Sequence, residues 1–383
     1  MSVGDGATLR GPPQKKARRG EPRSTPPRAP SASFICSSLR AAPRIDRAMK
    51  LDVEVSSDSL VDIGVLSKRA EEYGFDCLWA NEIKHDPFVQ LALAATETKS
   101  INVGTSIALA FTRSPTTLAY AAWDLQQLSS GRLILGLGSQ VKGHIERRFG
   151  MKWEPPVPKM RDVVLAVRSV WESWQTGRPL DYKGTHFNLD LMTPFFSPGP
   201  VKSPKIPIYI AGVNGLMCSL SGELADGLHV HPLHTVRYLR EVVLPALANG
   251  LEKGKRKKEE VSVAASVFAA VGETQKEIRS VREAYRGQIA FYASTRTYRG
   301  LMELHRWGDV SDRLHALSVT GEWGRMAGEV TDDMLDQFVV EGRWDEIGQK
   351  LKSRYGGLAD RVRLYLPFDG AEKWRAALTG FRA

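Results

Sequence analysis

The chain has 383 residues, 42% of them apolar and 25% charged, the balance of an ordinary globular protein with room for one large α/β domain or two small ones. The net charge of +10 is uneven: residues 1–48 hold ten Lys/Arg and three Asp/Glu, so +7 sits there and no strongly basic folded surface follows. No apolar run reaches the ~20 residues of a membrane span, and the three cysteines, Cys36, Cys77 and Cys218, are too far apart for a disulfide framework or a metal motif, which points to a reducing, cytoplasmic setting.

Residues 1–48 are rich in Pro, Ser, Arg and Ala, show no periodicity and read as a disordered leader. Lys15-Lys16-Ala17-Arg18-Arg19 could serve nucleic-acid binding or import, but a dispensable tail with the natural start at Met49 is the favoured reading. No nucleic acid and no membrane are expected as partners.

From Met49 the pattern alternates strand and helix. Strands are predicted at Lys50–Val55, Cys77–Ala80, Ile101–Leu109, within Gly131–Gln140 on the apolar run Leu133-Ile134-Leu135, and at Ile208–Ala211, Leu228–His231, Val261–Ala269 and Arg361–Leu366. The first helix stops at Gly74; the second and third open at Asp86-Pro87 and Ser114-Pro115, each an N-cap followed by proline. A long helix from about Lys159 buries Met160, Val163, Val164, Val167, Val170, Trp171 and Trp174 along one stripe and ends at Gly177. Residues 180–206 read as an excursion with a small hairpin, and 285–330 as a helical insertion. Two further helices are placed at Met334–Val340 and Trp344–Tyr355. Eight strands alternating with helices predict a (β/α)8 TIM barrel with insertions. A doubly wound sheet competes, but no GxGxxG follows the first strand.

An active site in such a barrel lies at the carboxyl ends of the strands. Gly131–Gln140, GRLILGLGSQ, is a buried strand with a glycine-punctuated exit. Those glycines permit either a close approach of backbone to ligand or simply a tight turn. Glu82 after the second strand is the candidate general acid/base, on the expectation of an apolar mouth; a salt bridge with Lys84 is the competing reading. His85 and Asp86 form either a proton-transfer pair or a residue beside an N-cap. His229 and His231 share one strand face, with His231 nearer the mouth. Arg113 could hold an anionic substrate, and Arg147 and Arg148 a cofactor phosphate. His, Glu and Asp do not recur at ligand spacing, which argues against a metal centre.

Six segments in order carry a resemblance: Gly74-Phe75-Asp76-Cys77-Leu78-Trp79, Val103-Gly104-Thr105-Ser106, Arg113-Ser114-Pro115, Leu128 to Gly138, Pro207 to Gly212, and Ala225-Asp226-Gly227. Together they resemble the bacterial luciferase-like monooxygenase superfamily. The branch using the deazaflavin coenzyme F420 is the nearest, and within it an actinobacterial group of F420-dependent oxidoreductases. The resemblance implies a (β/α)8 barrel with the cofactor at the strand carboxyl ends and a non-proline cis peptide at Ser106–Ile107. It implies cofactor contacts at Asn81, Thr105, Ser106, Ile107, Gly138, Ser139, Gln140, His144, Gly212, Val213 and Gly215. Hydride would pass between the deazaflavin and a small organic substrate, with Glu82, His85 and His231 handling the proton, in a protein that is a homodimer by analogy. Sugar-phosphate dehydrogenases of the family carry a histidine where this chain has Ile83 and a carboxylate where it has Val141, so their substrate is not implied. An FMN-dependent monooxygenase and a non-catalytic F420-binding protein are the alternatives.

Overall fold

A computed structural model describes residues 48–383. The leader, with Lys15–Arg19 and Cys36, lies outside the described residues.

Eight parallel strands close into a barrel: β1 (Lys50–Glu54), β2 (Cys77–Ala80), β3 (Asn102–Thr105), β4 (Leu133–Gly138), β5 (Ile208–Gly212), β6 (Gly227–Val230), β7 (Ser262–Gly272) and β8 (Arg361–Pro367). Each pairs with its successor, and β8 pairs with β1 to close the ring. The helices form the outer layer. Asp86 and Ser114 cap the helices Pro87–Glu97 and Pro115–Leu128 as their sequences predict, each side chain accepting a first-turn amide. Gly74 ends Leu60–Tyr73 in the left-handed conformation at φ 93°. The long helix Pro156–Thr176 buries all seven residues of its predicted stripe.

Three boundaries differ from the sequence reading. The third strand does not run unbroken from Ile101 to Leu109: it stops at Thr105 and resumes as the short strand Ala108–Leu109. Val339–Arg343 is a strand, not the end of one helix and the start of another; it pairs with the extension Phe268–Gly272 of β7. Its run of VVEGR is β-branched at the start but too short for periodicity to separate it from the helix Asp332–Phe338 that precedes it. His231 lies one residue beyond β6 rather than in it. The excursion contains the predicted hairpin, Tyr182–Lys183 against Asn188–Leu189. Thr274 and Glu277 open the helix Gln275–Ala293 after β7, and the segment 285–330 continues through Arg299–Leu304 and Gly308–Thr320.

The lumen is packed, and it is charged as well as apolar. Cys77, Trp79, Ile134, Tyr209 and Ala264 form one buried cluster. Above it Arg361 meets Asp52 through two bonds of 2.7 Å, and Trp79 Nε1 donates to the same carboxylate at 2.9 Å. Such a pair survives burial because three donors converge on the carboxylate, two of them from one guanidinium. Among the described residues no helix is long and apolar enough to cross a membrane.

Candidate active site at the mouth of the barrel

The break in β3 organises the mouth. The Ser106–Ile107 peptide is cis, as the resemblance implies. Thr105 spans the resulting gap in the ladder, its hydroxyl donating to the Gly136 carbonyl at 2.6 Å and accepting from the Gly136 amide at 2.8 Å. The glycines of β4 make room for this bulge. A Cβ at Gly136 would sit 1.9 Å from the Thr105 carbonyl oxygen, and one at Gly138 would sit 2.5 Å from Ile107 Cδ1. The space they leave is therefore filled by the chain itself, not kept for a ligand. Thr105 and Gly138 are buried wall positions, while Ser106 and Ile107 are half-buried at the rim.

Glu82 holds the far side of the bulge. Its Oε2 accepts from the Leu109 amide and from Arg113 Nη1, both at 2.7 Å. Arg113 also bonds Asp86 at 2.6 Å, and Asp86 caps its helix by accepting from the Phe88 amide at 2.8 Å. Three expectations are corrected. Glu82 does not meet an apolar mouth or Lys84, which instead pairs with Asp58. Arg113 spends its guanidinium on two carboxylates and is not free for an anionic substrate, and Asp86 is not a partner of His85.

A cavity of about 590 Å³ opens between the ends of β1, β2 and β8 and the helix Gln275–Ala293. Glu54, Asn81, His85, Gln90, Gln288 and Tyr365 line it. Glu54 is only 7% exposed. Its Oε1 accepts from Asn81 Nδ2 at 2.7 Å, and its Oε2 lies 3.3 Å from Arg363 Nη2. Gln90 Nε2 donates to the Asn81 carbonyl at 2.9 Å and so fixes the loop that presents Asn81. Sequence reasoning passed over Glu54. The available signal was Asp52 and Glu54 two apart in a strand whose neighbours are all core-forming, which places two carboxylates on one buried face.

His229 and His231 divide as their positions suggest. His229 is buried against Trp79 and Tyr209 in the lumen. Burial, reinforced by Arg363 and Arg361, pushes its pKa well below the ordinary value. His231 is enclosed by Tyr292 and Tyr298 of the insertion, ring centroids 4.6 and 5.1 Å away. Its Nδ1 accepts from the Leu233 amide at 3.1 Å, which places the proton of the neutral ring on Nε2. Burial, with His234 and Arg363 nearby, lowers its pKa to about 3. It is therefore a neutral hydrogen-bond donor at neutral pH and not an imidazolium acid.

The remaining expected contacts lie at the β4 and β5 side of the same mouth. Ser139 and Gln140 follow β4; Gln140 takes φ +58°, and its side chain accepts from the Val141 amide at 3.0 Å. His144 is exposed on the short helix Lys142–Arg147, with Lys142 and Arg147 on either side of it in sequence. After β5, Gly212 is buried in the wall, where a Cβ would meet Leu228 and Cys218. The Val213 carbonyl accepts from the Tyr238 hydroxyl at 3.0 Å, and Gly215 opens the helix Gly215–Leu224. Among the described residues no group of three or more His, Cys, Asp or Glu could hold a metal ion.

A parallel (β/α)8 barrel with a cis bulge in its third strand and a polar cavity at the strand carboxyl ends defines the class of protein. The luciferase-like monooxygenase family model matches residues 43–361, and the chain belongs to that family. It is 42% identical over 336 residues to an uncharacterised protein of Mycobacterium tuberculosis, covering 88% of this chain and 98% of the relative. It is 28% identical over 311 residues to the 5,10-methylenetetrahydromethanopterin reductase of Archaeoglobus fulgidus, covering 79% and 89%. Its fold matches the coenzyme F420-dependent tetrahydromethanopterin reductase of Methanopyrus kandleri with a TM-score of 0.70 at 21% identity, covering 87% and 98%.

Proposed function

We propose that this chain is an F420-dependent oxidoreductase that moves a hydride between the deazaflavin and a small organic substrate, such as an alcohol, a carbonyl compound or an activated alkene. The observation that carries the proposal is a cavity at the strand carboxyl ends lined by the buried carboxylate of Glu54 and by Asn81, which follows Ala80, whose carbonyl accepts from the Ser106 amide at 2.8 Å. Bound F420 supplies the redox chemistry, a two-electron hydride transfer at a ring carbon; the protein supplies placement and proton handling.

The parts of the mouth fit such a group. Ser106 and Ile107 form a rigid backing for a flat ring, kept in place by Thr105 on one side and by Glu82 on the other. Ser139, Gln140 and His144, with Lys142, Arg147 and Arg148 close by in sequence, offer hydroxyl, amide and cationic groups for an acidic tail. Glu54 is the group best placed to hold or move a proton inside the cavity, and His85 is the second titratable group in its lining. Glu82, proposed from sequence as the acid, is better read as a positioning residue, because it is not in the cavity lining and its Oε2 ties the Leu109 amide to Arg113.

Homology to a methylenetetrahydromethanopterin reductase and likeness to an F420-dependent fold support the cofactor. The family description also covers monooxygenases, so FMN with oxygen is the second reading. A homodimeric, cytoplasmic enzyme completes the proposal. The test is anaerobic incubation with reduced F420 and a panel of ketones, enones and imines, following loss of the reduced cofactor. Turnover with at least one class is the expected result. Oxygen-dependent turnover with reduced FMN and none with F420 would overturn the proposal.

A further inference from the structure

We propose that Tyr365 and Gln288 form a binding site for a ligand oxygen in the cavity, and that the helix Gln275–Ala293 thereby selects oxygen-bearing substrates. The substrate label rests on the proposed function; the oxygen-binding geometry does not.

The helix Gln275–Ala293 presents Tyr285, Gln288 and Tyr292 at spacings of three and four, a single face turned to the barrel. Phe268 of β7 packs beneath them, with ring centroids 4.8 Å from Tyr285 and 5.3 Å from Tyr365. The three polar ends do different things. The Tyr285 hydroxyl is committed to the backbone, donating toward the Tyr365 carbonyl at 3.0 Å and lying 3.3 Å from that of Ala269. The Tyr292 and Tyr365 hydroxyls lie 2.9 Å apart, and Gln288 Nε2 is 3.4 Å from the Tyr365 hydroxyl oxygen. Tyr285, Gln288 and Tyr365 line the cavity and Tyr292 does not; with the Tyr285 hydroxyl held by backbone carbonyls, Tyr365 and Gln288 carry the polar groups left for a ligand.

A phenol has one proton to give and two lone pairs with which to accept. Either hydroxyl can donate in the Tyr292–Tyr365 pair; when a ligand oxygen enters the cavity, Tyr292 donates to the Tyr365 oxygen beside Gln288, and the Tyr365 proton turns to the ligand. Burial, the Tyr292 hydroxyl and the nearby Glu54 charge all disfavour ionisation of Tyr365, so it keeps that proton across the physiological range. The second amide proton of Gln288 is the other donor available to the same atom. Glu54 supplies an acceptor on the floor of the same cavity. The complement of this wall is a compact ligand with a carbonyl or hydroxyl oxygen. A hydrocarbon would leave the donors unpaired, which a polar site penalises far more heavily than a lost methylene.

The experiment uses the full chain and matched probes: cyclohexanone and cyclohex-2-enone against cyclohexene. Binding is measured by ligand-observed NMR or calorimetry, with an F420 titration on the same samples. The ketones are expected to bind at least ~10-fold more tightly than cyclohexene. Tyr365→Phe and Gln288→Leu are each expected to lower ketone affinity by about 10-fold and to leave cyclohexene and F420 affinity unchanged. The two variants are independent, so a folding failure in one leaves the other decisive. Equal binding of ketone and hydrocarbon, no binding of either, or full ketone affinity in both variants would overturn the inference. If F420 fails to bind while the ketone preference and its loss in the variants persist, the oxygen site is supported and the proposed function is not.

Discussion

Glu54 and Asn81 meet across the first two barrel strands, the carboxylate accepting from the amide at 2.7 Å. The bond joins the floor of the cavity to the loop after β2. Through Gln90 it is tied to the helix Pro87–Glu97. It places a buried carboxylate at a fixed point in the cavity lining.

Replacing that carboxylate separates proton handling from binding. Glu54→Gln keeps the shape and a hydrogen-bonding group and removes the charge. Turnover is expected to fall by about 100-fold or more, within the usual reach of general acid–base catalysis, while F420 affinity stays within about threefold. Steady-state kinetics and fluorescence titration read the two quantities. An unchanged turnover number would move the proton role to His85.

Glu82 is expected to behave in the opposite way. Glu82→Ala leaves Arg113 and the Leu109 amide without their acceptor and loosens the bulge from below. Both side chains are largely shielded, at 11% and 16% exposure. The expected stability loss is roughly 1–3 kcal/mol, read by denaturant titration. F420 affinity should drop with it, while turnover at saturating cofactor stays close to that of the parent protein. Glu82→Gln should recover most of the affinity. A large loss of turnover with unchanged affinity would instead restore Glu82 as the acid.

The β4 glycines make a graded pair. A Cβ at Gly136 meets backbone at 1.9 Å, and nothing there can yield without moving β3. Gly136→Ala is expected to prevent accumulation of folded protein. A Cβ at Gly138 meets the end of the Ile107 side chain, which can rotate. Gly138→Ala is expected to cost about 1–3 kcal/mol, as overpacking does, and Gly138→Ala with Ile107→Val less than that. Thermal melting of the soluble variants checks the order.

The buried histidines predict how stability changes with pH. His231 and His234 have pKa values lowered by burial to about 3 and about 4, and His229 is lowered well below its usual value. Below the unfolded value near 6.5, the unfolded chain takes up protons that the folded chain refuses. Stability is therefore full above about pH 6.5 and declines as the pH falls toward 4, each such histidine adding a slope of up to roughly 1.4 kcal/mol per unit. Denaturant melts from pH 4.5 to 7.5 measure the slope, and His234→Asn should reduce it. A stability flat across that range would contradict the burial of these rings.

How much of this was legible in the sequence depended on how local the signal was. The barrel was readable because strand, cap and helix each leave a short-range mark: Asp86-Pro87, Ser114-Pro115 and the stripe from Met160 to Trp174 all fold as they read. The strand Val339–Arg343 was not, because only its pairing with the extension of β7 distinguishes it from helix. At the site, the rim residues followed from the barrel rule, but their partners did not. Glu82 is separated from Arg113 by thirty-one residues and Glu54 from Arg363 by several hundred, and no local pattern encodes such meetings. Glycines 136 and 138 were legible as a place of close approach. What approaches them, Thr105 and Ile107, became visible only in the fold.

The account stands most directly on which ring the mouth accepts. Fluorescence titration of the full chain with F420 and, separately, with FMN measures it. Saturable F420 binding at one site per chain, at least ~10-fold tighter than FMN and weakened by Glu82→Ala, is the predicted result. Tight FMN binding with no saturable response to F420 would contradict it.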